Sequence, residues 1–314
     1  MTPSSECDTS PALRTFIILI ALSAAAFAQS TKPEWCQKLP RPAWAQYQQV
    51  PAADPWFEVH LVQPGVYAIY EPHQSEETIP WLILGDKRAV LLDTGMGIGD
   101  LRKTVEALTS LPVTVLNTHT HNDHVGSNWQ FEDVRNFDLP FSRTNAAGSR
   151  TDAQAEIAPG EICGALPPNF DAAAYSTKPW KITSFIHNND VLDLGGRKLR
   201  VLSTPGHTPD ALSLFDEAHG LLWTGDTFYP GTVWLYRPET DLDAYKNSLT
   251  RLAALAPKVK LILASHNQPG PDGSELVRLL AAFEQVRTKK VEGKPRGNGK
   301  VEYVFPTFAF LMKQ

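Results

Sequence analysis

The sequence predicts an α/β fold in which two β-sheets pack against each other between flanking helices. Three observations carry this. Short apolar runs bounded by Gly, Asp and Pro turns read as strands. They mix, twice over along the chain, with segments whose apolar residues fall at the three-to-four spacing of a helix. No unit of 20–50 residues repeats, so a single domain that buries both sheets accounts for the order.

Residues 65–70 (GVYAIY) alternate as a strand does. Residues 81–84 and 89–92 are apolar runs about the turn Gly85-Asp86-Lys87-Arg88, a hairpin pattern. In residues 100–108 (DLRKTVEAL), Leu101, Val105 and Leu108 share a helical face and Asp100 stands at the N-cap. Residues 113–116 (VTVL) form a short buried strand, and a polar, helical or irregular middle (144–181) follows. Strands resume at 191–194, 198–202, 212–215 and 221–224. Residues 241–255 form a helix with Tyr245, Leu249, Leu252 and Leu255 on one face. A strand at 260–264, a helix at 274–286 and a single closing strand at 301–311 complete the order.

The chain has 314 residues, 42% apolar and 20% charged, enough to bury a sizeable core. A net charge of −5 and pI near 6.0 count against a nucleic-acid partner, which needs a clustered basic surface. The basic run 287–300 reads as a solvated loop. Residues 1–28 read as a signal peptide. Arg14 precedes an apolar run (16–27) too short to span a bilayer comfortably, and Ala26-Phe27-Ala28 is a small-x-small cleavage site. The expected mature chain is exported, periplasmic or secreted, with no stable membrane anchor. It comprises an irregular leader (29–56) and one folded domain (57–314). In an oxidising compartment Cys36 and Cys163 either pair or stand as isolated thiols.

His119-x-His121-x-Asp123-His124 places four candidate ligands in six residues, directly after the strand at 113–116. Imidazole nitrogen and carboxylate oxygen suit zinc, and alternation at 119, 121 and 123 demands an extended or looped segment. His207 lies in a Pro-Gly-His-Thr-Pro turn, Asp226 follows Gly225 at a strand end, and His266 ends another strand. All these places are carboxyl ends of predicted strands, where α/β folds gather their sites. His60, His73, His187 and His219 lack such context and read as surface or packing residues.

These segments, with Gly206-His207, Gly225-Asp226, Ser265-His266 and the run LLDTG at 91–95, resemble the metallo-β-lactamase superfamily over roughly residues 56–313. The resemblance implies an αββα four-layer sandwich of two mixed sheets flanked by helices, with two Zn2+ per chain at one edge. It assigns His119, His121 and His207 to one zinc, and Asp123, His124 and His266 to the other, with Asp226 bridging. Asp93 would orient a ligand loop or cap a turn. Two such ions sharing a water would make hydroxide available at neutral pH to attack a carbonyl, with Asp123 accepting or relaying the proton.

Asp at 226 is similar to glyoxalase-II-like thioesterases, lactonases and phosphodiesterases, whereas β-lactamases usually carry Cys or Ser there. Tyr229 stands three residues on, the spacing at which quorum-quenching lactonases carry a phenol. It is the second catalytic candidate, as hydrogen-bond donor to the carbonyl or leaving alkoxide. The aromatic stretch 228–236 (FYPGTVWLY), Trp129 and a flexible loop at 71–78 are candidate walls and flap. The expected activity is zinc-dependent hydrolysis of a small-molecule lactone or other carboxylic ester. β-Lactamase or thioesterase activity is the alternative; a phosphodiesterase or an inert metal-binding protein ranks below both.

Overall fold

Eight strands lie in sequence order across the first sheet of this computed structural model, which describes residues 1–2 and 32–314. They are β1 (Gln48–Val50), β2 (Glu58–Gln63), β3 (Val66–Tyr70), β4 (Trp81–Leu84), β5 (Ala89–Leu92), β6 (Val113–Leu116), β7 (Val134–Asn136) and β8 (Ser184–Phe185). β1 to β5 pair antiparallel and β5 to β8 parallel. The second sheet joins β9 (Val191–Asp193), β10 (Lys198–Ser203), β11 (Leu212–Asp216) and β12 (Leu221–Gly225). It skips β13 (Thr232–Leu235) and ends on β14 (Leu261–Ala264), which runs parallel to β12. The helices are α1 (Leu101–Leu108), α2 (Asn122–Val125), α3 (Pro140–Asn145), α4 (Thr151–Glu156), α5 (Leu242–Leu255) and α6 (Ser274–Arg287).

Two-residue periodicity makes the layers. In β5, Val90 and Leu92 face the core between the sheets, while Ala89 and Leu91 face the core under α1. In β12, Leu221 and Trp223 enter the inter-sheet core and Leu222 enters the core beneath α5 and α6. Strands covered on both faces are therefore apolar at every position, as AVLL in β5 is. The order helix, sheet, sheet, helix is the αββα sandwich. Trp81, fully buried, bridges the sheets, its indole N–H donating to Ala264 O at 2.9 Å. Its loss to Ala would cost about 3–5 kcal/mol. Among the described residues no helix is long and apolar enough to cross a membrane.

Several features differ from expectation. A third, four-stranded sheet (β13-β17-β16-β15) forms from β13, β15 (Lys294–Gly297), β16 (Lys300–Val304) and β17 (Ala309–Lys313). The single strand expected over 301–311 is thus two antiparallel strands, because Pro306 offers no N–H to a ladder and the chain turns there. The basic run read as a loop is exposed but partly paired as β15. The leader carries two 3-10 turns (Trp35–Lys38 and Pro42–Gln46), buries Trp44 in the inter-sheet core and supplies β1. The signal segment and its Ala28 cleavage site lie outside the described residues, apart from the first two positions.

Cys36 and Cys163 are joined, their Cα atoms 5.6 Å apart across 127 residues of sequence. The loop at 71–78, expected as a flap, is instead held down. Glu71, Gln74, Glu77 and Thr78 are buried, Ser75 N bonds Glu161 O and Ile79 N bonds Ser265 O.

Candidate metal centre

The ligand candidates sit at carboxyl ends of strands from both sheets. His119, His121, Asp123 and His124 follow β6, His207 follows β10, Asp226 follows β12 and His266 follows β14. Two glycines make the approach possible. A Cβ on Gly225 (φ 52°) would lie 2.6 Å from Thr118 Cβ, and one on Gly206 (φ 146°) 2.3 Å from the Tyr245 backbone. The site therefore spans the edge of the sandwich, where the two sheets meet.

The side chains converge into two sets. His119, His121 and His207 form one, and Asp123, His124 and His266 the other, while Asp226 also groups with His119 and His124. His121 Nδ1 lies 3.0 Å from His119 Nε2 and 3.1 Å from His207 Nε2. In the second set His266 Nε2 is 3.2 Å from His124 Nε2, and Asp123 Oδ2 is 3.1 Å from His124 Nε2. Asp226 reaches both sets, 3.0 Å from His266 Nε2 and 3.7 Å from His207 Nε2. Donor atoms on one tetrahedral zinc at about 2.0–2.1 Å stand roughly 3.3 Å apart, close to these spacings.

Each imidazole is turned by a partner on its other nitrogen. His124 Nδ1 bonds Asp93 Oδ2 at 2.9 Å, His207 Nδ1 the Trp234 carbonyl at 2.8 Å, and His266 Nδ1 the Glu76 carbonyl at 2.6 Å. His121 is held through Nε2 by Glu239 at 2.7 Å. Thr118, whose hydroxyl donates to Asp93, lies 3.2 Å from His119 Nδ1. Acceptors on the outside place one N–H outside, so each imidazole, when neutral, points the lone pair of its inner nitrogen at the others. Neighbouring lone pairs repel unless a cation lies between them. Asp226 Oδ1, buried, receives no hydrogen bond. An all-N/O donor set with inward lone pairs and an orphaned carboxylate oxygen fits divalent zinc.

Charge points the same way. Although burial opposes ionisation, the surrounding imidazoles hold Asp226 down at about 2 and Asp123 far below its ordinary value. Burial lowers His119 strongly and His207 to about 4. His124 and His266 are raised, the latter to about 9, because neighbouring carboxylates outweigh burial. Asp93, Asp123 and Asp226 pair with imidazoles and with no Lys or Arg among the described residues. Asp93 also accepts from Thr118 N at 2.7 Å and Ser265 Oγ at 2.9 Å, so it is a hub that orients His124 rather than a simple turn cap.

The other candidates divide. Tyr229 and Trp234 line the small cavity over the ligands, with Glu76, Glu156 and Arg237. The Tyr229 ring packs 4.8 Å from that of His266, and its hydroxyl donates to Thr232 O at 2.5 Å. Trp129 is not part of this wall: it is half exposed under Lys178 and lines another groove. His60 packs on Trp44 and His219 pairs with Asp216. Glu76 brings the loop at 71–78 to the cavity as part of its wall, whereas nothing in the sequence singles out Glu239 or Arg237, since no spacing links YRPET to the histidines.

The sequence pattern of the metallo-beta-lactamase superfamily matches residues 80–266. The chain belongs to that superfamily. Acyl-coenzyme A thioesterase MBLAC2 of Gallus gallus is 27% identical over 227 residues, covering 67% of this chain and 80% of that protein. Hydroxyacylglutathione hydrolase GloC of Haemophilus influenzae is 26% identical over 192 residues, 60% of this chain and 85% of that protein. Among solved structures, a beta-lactamase domain protein from Burkholderia ambifaria superposes with TM-score 0.51 at 25% identity, covering 74% of this chain and 78% of that one. The sec-alkylsulfatase Pisa1 from Pseudomonas sp. shares the fold, with TM-score 0.55 at 18% identity over 74% of this chain and 42% of that one. The chain is accordingly a superfamily hydrolase whose His and Asp groups can hold metal ions.

Proposed function

We propose that this protein is a binuclear zinc hydrolase of thioesters, exported to an oxidising compartment. The observation that carries the choice of substrate is the Tyr229 hydroxyl, whose single proton goes to the Thr232 carbonyl. A lactone or ester expels an alkoxide, which needs a proton donor. A thiol of ordinary pKa near 8.5 leaves as thiolate with little help near neutral pH. A site whose nearest phenol is already committed suits the second better, and the two thioesterase relatives support the same reading.

His119, His121 and His207 would hold one ion, and Asp123, His124 and His266 the other, with Asp226 between them. Ions bound there would supply an activated water and polarise the substrate carbonyl. Asp93, Glu239 and the carbonyls of Trp234 and Glu76 keep the imidazoles in the ligating tautomer. Asp123 lines the same cavity and, despite its burial, is held ionised by the imidazoles around it. Trp234 and Tyr229 wall the cavity against bulk water. The Cys36–Cys163 bond supports the oxidising compartment.

The test is a panel on zinc-loaded protein: acyl-coenzyme A, S-acylglutathione, a homoserine lactone, an aryl ester and nitrocefin. The reading requires kcat/KM for a thioester to exceed the others by at least tenfold. A lactone turned over best would return the assignment to an ester hydrolase with Tyr229 as proton donor.

A further inference from the structure

We propose that Arg237 binds a carboxylate or phosphate on the thiol half of the substrate, in a groove leading away from the metal cavity. The inference rests on the thioester reading above. The groove, about 370 Å³, shares His121, Asn122 and Arg237 with the metal cavity, so a molecule whose carbonyl lies over the ligands can extend into it. Its farther wall includes Phe141, Asn145, Ser149 and Thr177.

Two polar side chains on this wall are unsatisfied. The Arg237 side chain makes no hydrogen bond or ion pair among the described residues, and its Nε is buried without a partner. The Thr177 hydroxyl, on a side chain only 4% exposed, is likewise buried and unpartnered. A buried donor left without a partner is costly, and a charged one more so, unless a ligand completes it. The acidic neighbours of Arg237 do not complete it. Glu239 and Glu156 act on it only through space, Glu239 bonds His121, and Glu156 bonds Gln74 and Asn122. The other acid of the wall, Asp152, takes a bond from Ser149.

The guanidinium also has aromatic neighbours. Its carbon stands 5.9 Å from the ring centres of both Trp234 and Tyr236. A guanidinium so flanked offers a planar fork of donors, matched to the paired oxygens of a carboxylate or phosphate.

The experiment compares acetyl-coenzyme A, S-acetylglutathione and the uncharged thioester S-acetyl-N-acetylcysteamine on wild type, Arg237→Met and Arg237→Lys. Tryptophan-fluorescence titration with free coenzyme A and with glutathione runs alongside. Arg237→Met should lower kcat/KM for at least one charged thioester 10- to 100-fold. The loss on the neutral thioester should be at least tenfold smaller, and Arg237→Lys should recover part of the effect. The charged substrate that loses more tells phosphate from carboxylate. Equal losses on all three substrates overturn the proposal, as does no loss. If wild type hydrolyses no thioester, the activity reading fails and the titration alone decides. Thiol binding weakened tenfold or more by Arg237→Met then supports the anion site, and binding unchanged or absent in both proteins overturns it. Arg237→Gln replaces the Met variant should that one fail to fold.

Discussion

Arg41 reaches across 226 residues of sequence to hydrogen-bond Asn267 Oδ1 at 2.7 Å, and so braces the residue that follows His266. The same guanidinium grips Glu77, a carboxylate buried under Tyr70. Trp44 adds a bond to Asn267 O at 3.1 Å. The leader thus clamps the 71–78 loop to the end of β14.

Arg41→Met leaves Glu77 buried without its cation, and should cost about 3–5 kcal/mol in chemical denaturation. Adding Glu77→Gln should recover part of that loss, since the stranded charge is removed with its partner. A single variant as stable as wild type would show that the clamp contributes nothing.

Replacing Cys36 and Cys163 by Ser frees a loop of 127 residues. On chain-entropy grounds the variant should lose up to about 5 kcal/mol, with metal content unchanged. Loss of bound zinc in a variant that is still folded would instead tie the bond to the metal centre.

Asp226→Ala removes the one carboxylate among the described residues that lies within reach of both sets. Metal analysis after zinc loading and dialysis should fall from two ions per chain to about one, and turnover should drop at least 100-fold. Two retained ions in this variant would mean that Asp226 is no bridge.

Tyr229→Phe discriminates between substrates. If the hydroxyl serves only Thr232, kcat for a thioester should change less than about threefold. A drop of 10- to 1000-fold would give the phenol the donor role the sequence suggested.

Burial pushes the Glu71 carboxyl up to about 7, against bonds from Thr78, Met96 N and Trp56 that favour the anion. A carboxyl raised on folding keeps its proton in the native state while the unfolded chain has lost it. Stability is therefore fully present below about pH 4.5 and declines up to about pH 7. Glu71→Gln removes this slope, so its stability relative to wild type should rise between pH 5 and pH 8. Parallel stability curves for the two proteins would refute the assignment.

The convergence of the candidate ligands was readable in the sequence because the fold places each at a strand end, and VTVL, LLWT and ILA announce those ends locally. Asp100 as the cap of α1 was equally local, its carboxylate accepting from Lys103 N at 3.0 Å. What holds the ligands was not readable. Glu239 meets His121 across 118 residues, and Asp93 meets Ser265 across 172, pairings that no periodicity encodes. The leader looked irregular because its order comes from Arg41, Trp44 and Cys36 bonding distant partners, not from a pattern of its own. Pro306 was visible, yet the closing hairpin was read as one strand because the apolar residues on both sides masked the break.

The clamp from Arg41 to Asn267 also sets an order of events during synthesis. Residue 41 emerges from the ribosome long before its partner, and the inter-sheet core around Trp44 awaits Leu263 at the far end of β14. Until then a nascent chain carries an open apolar sheet face, the kind of surface on which partly made chains associate. Yield during production should therefore depend more on how long the chain is kept unfolded than on the stability of the finished protein.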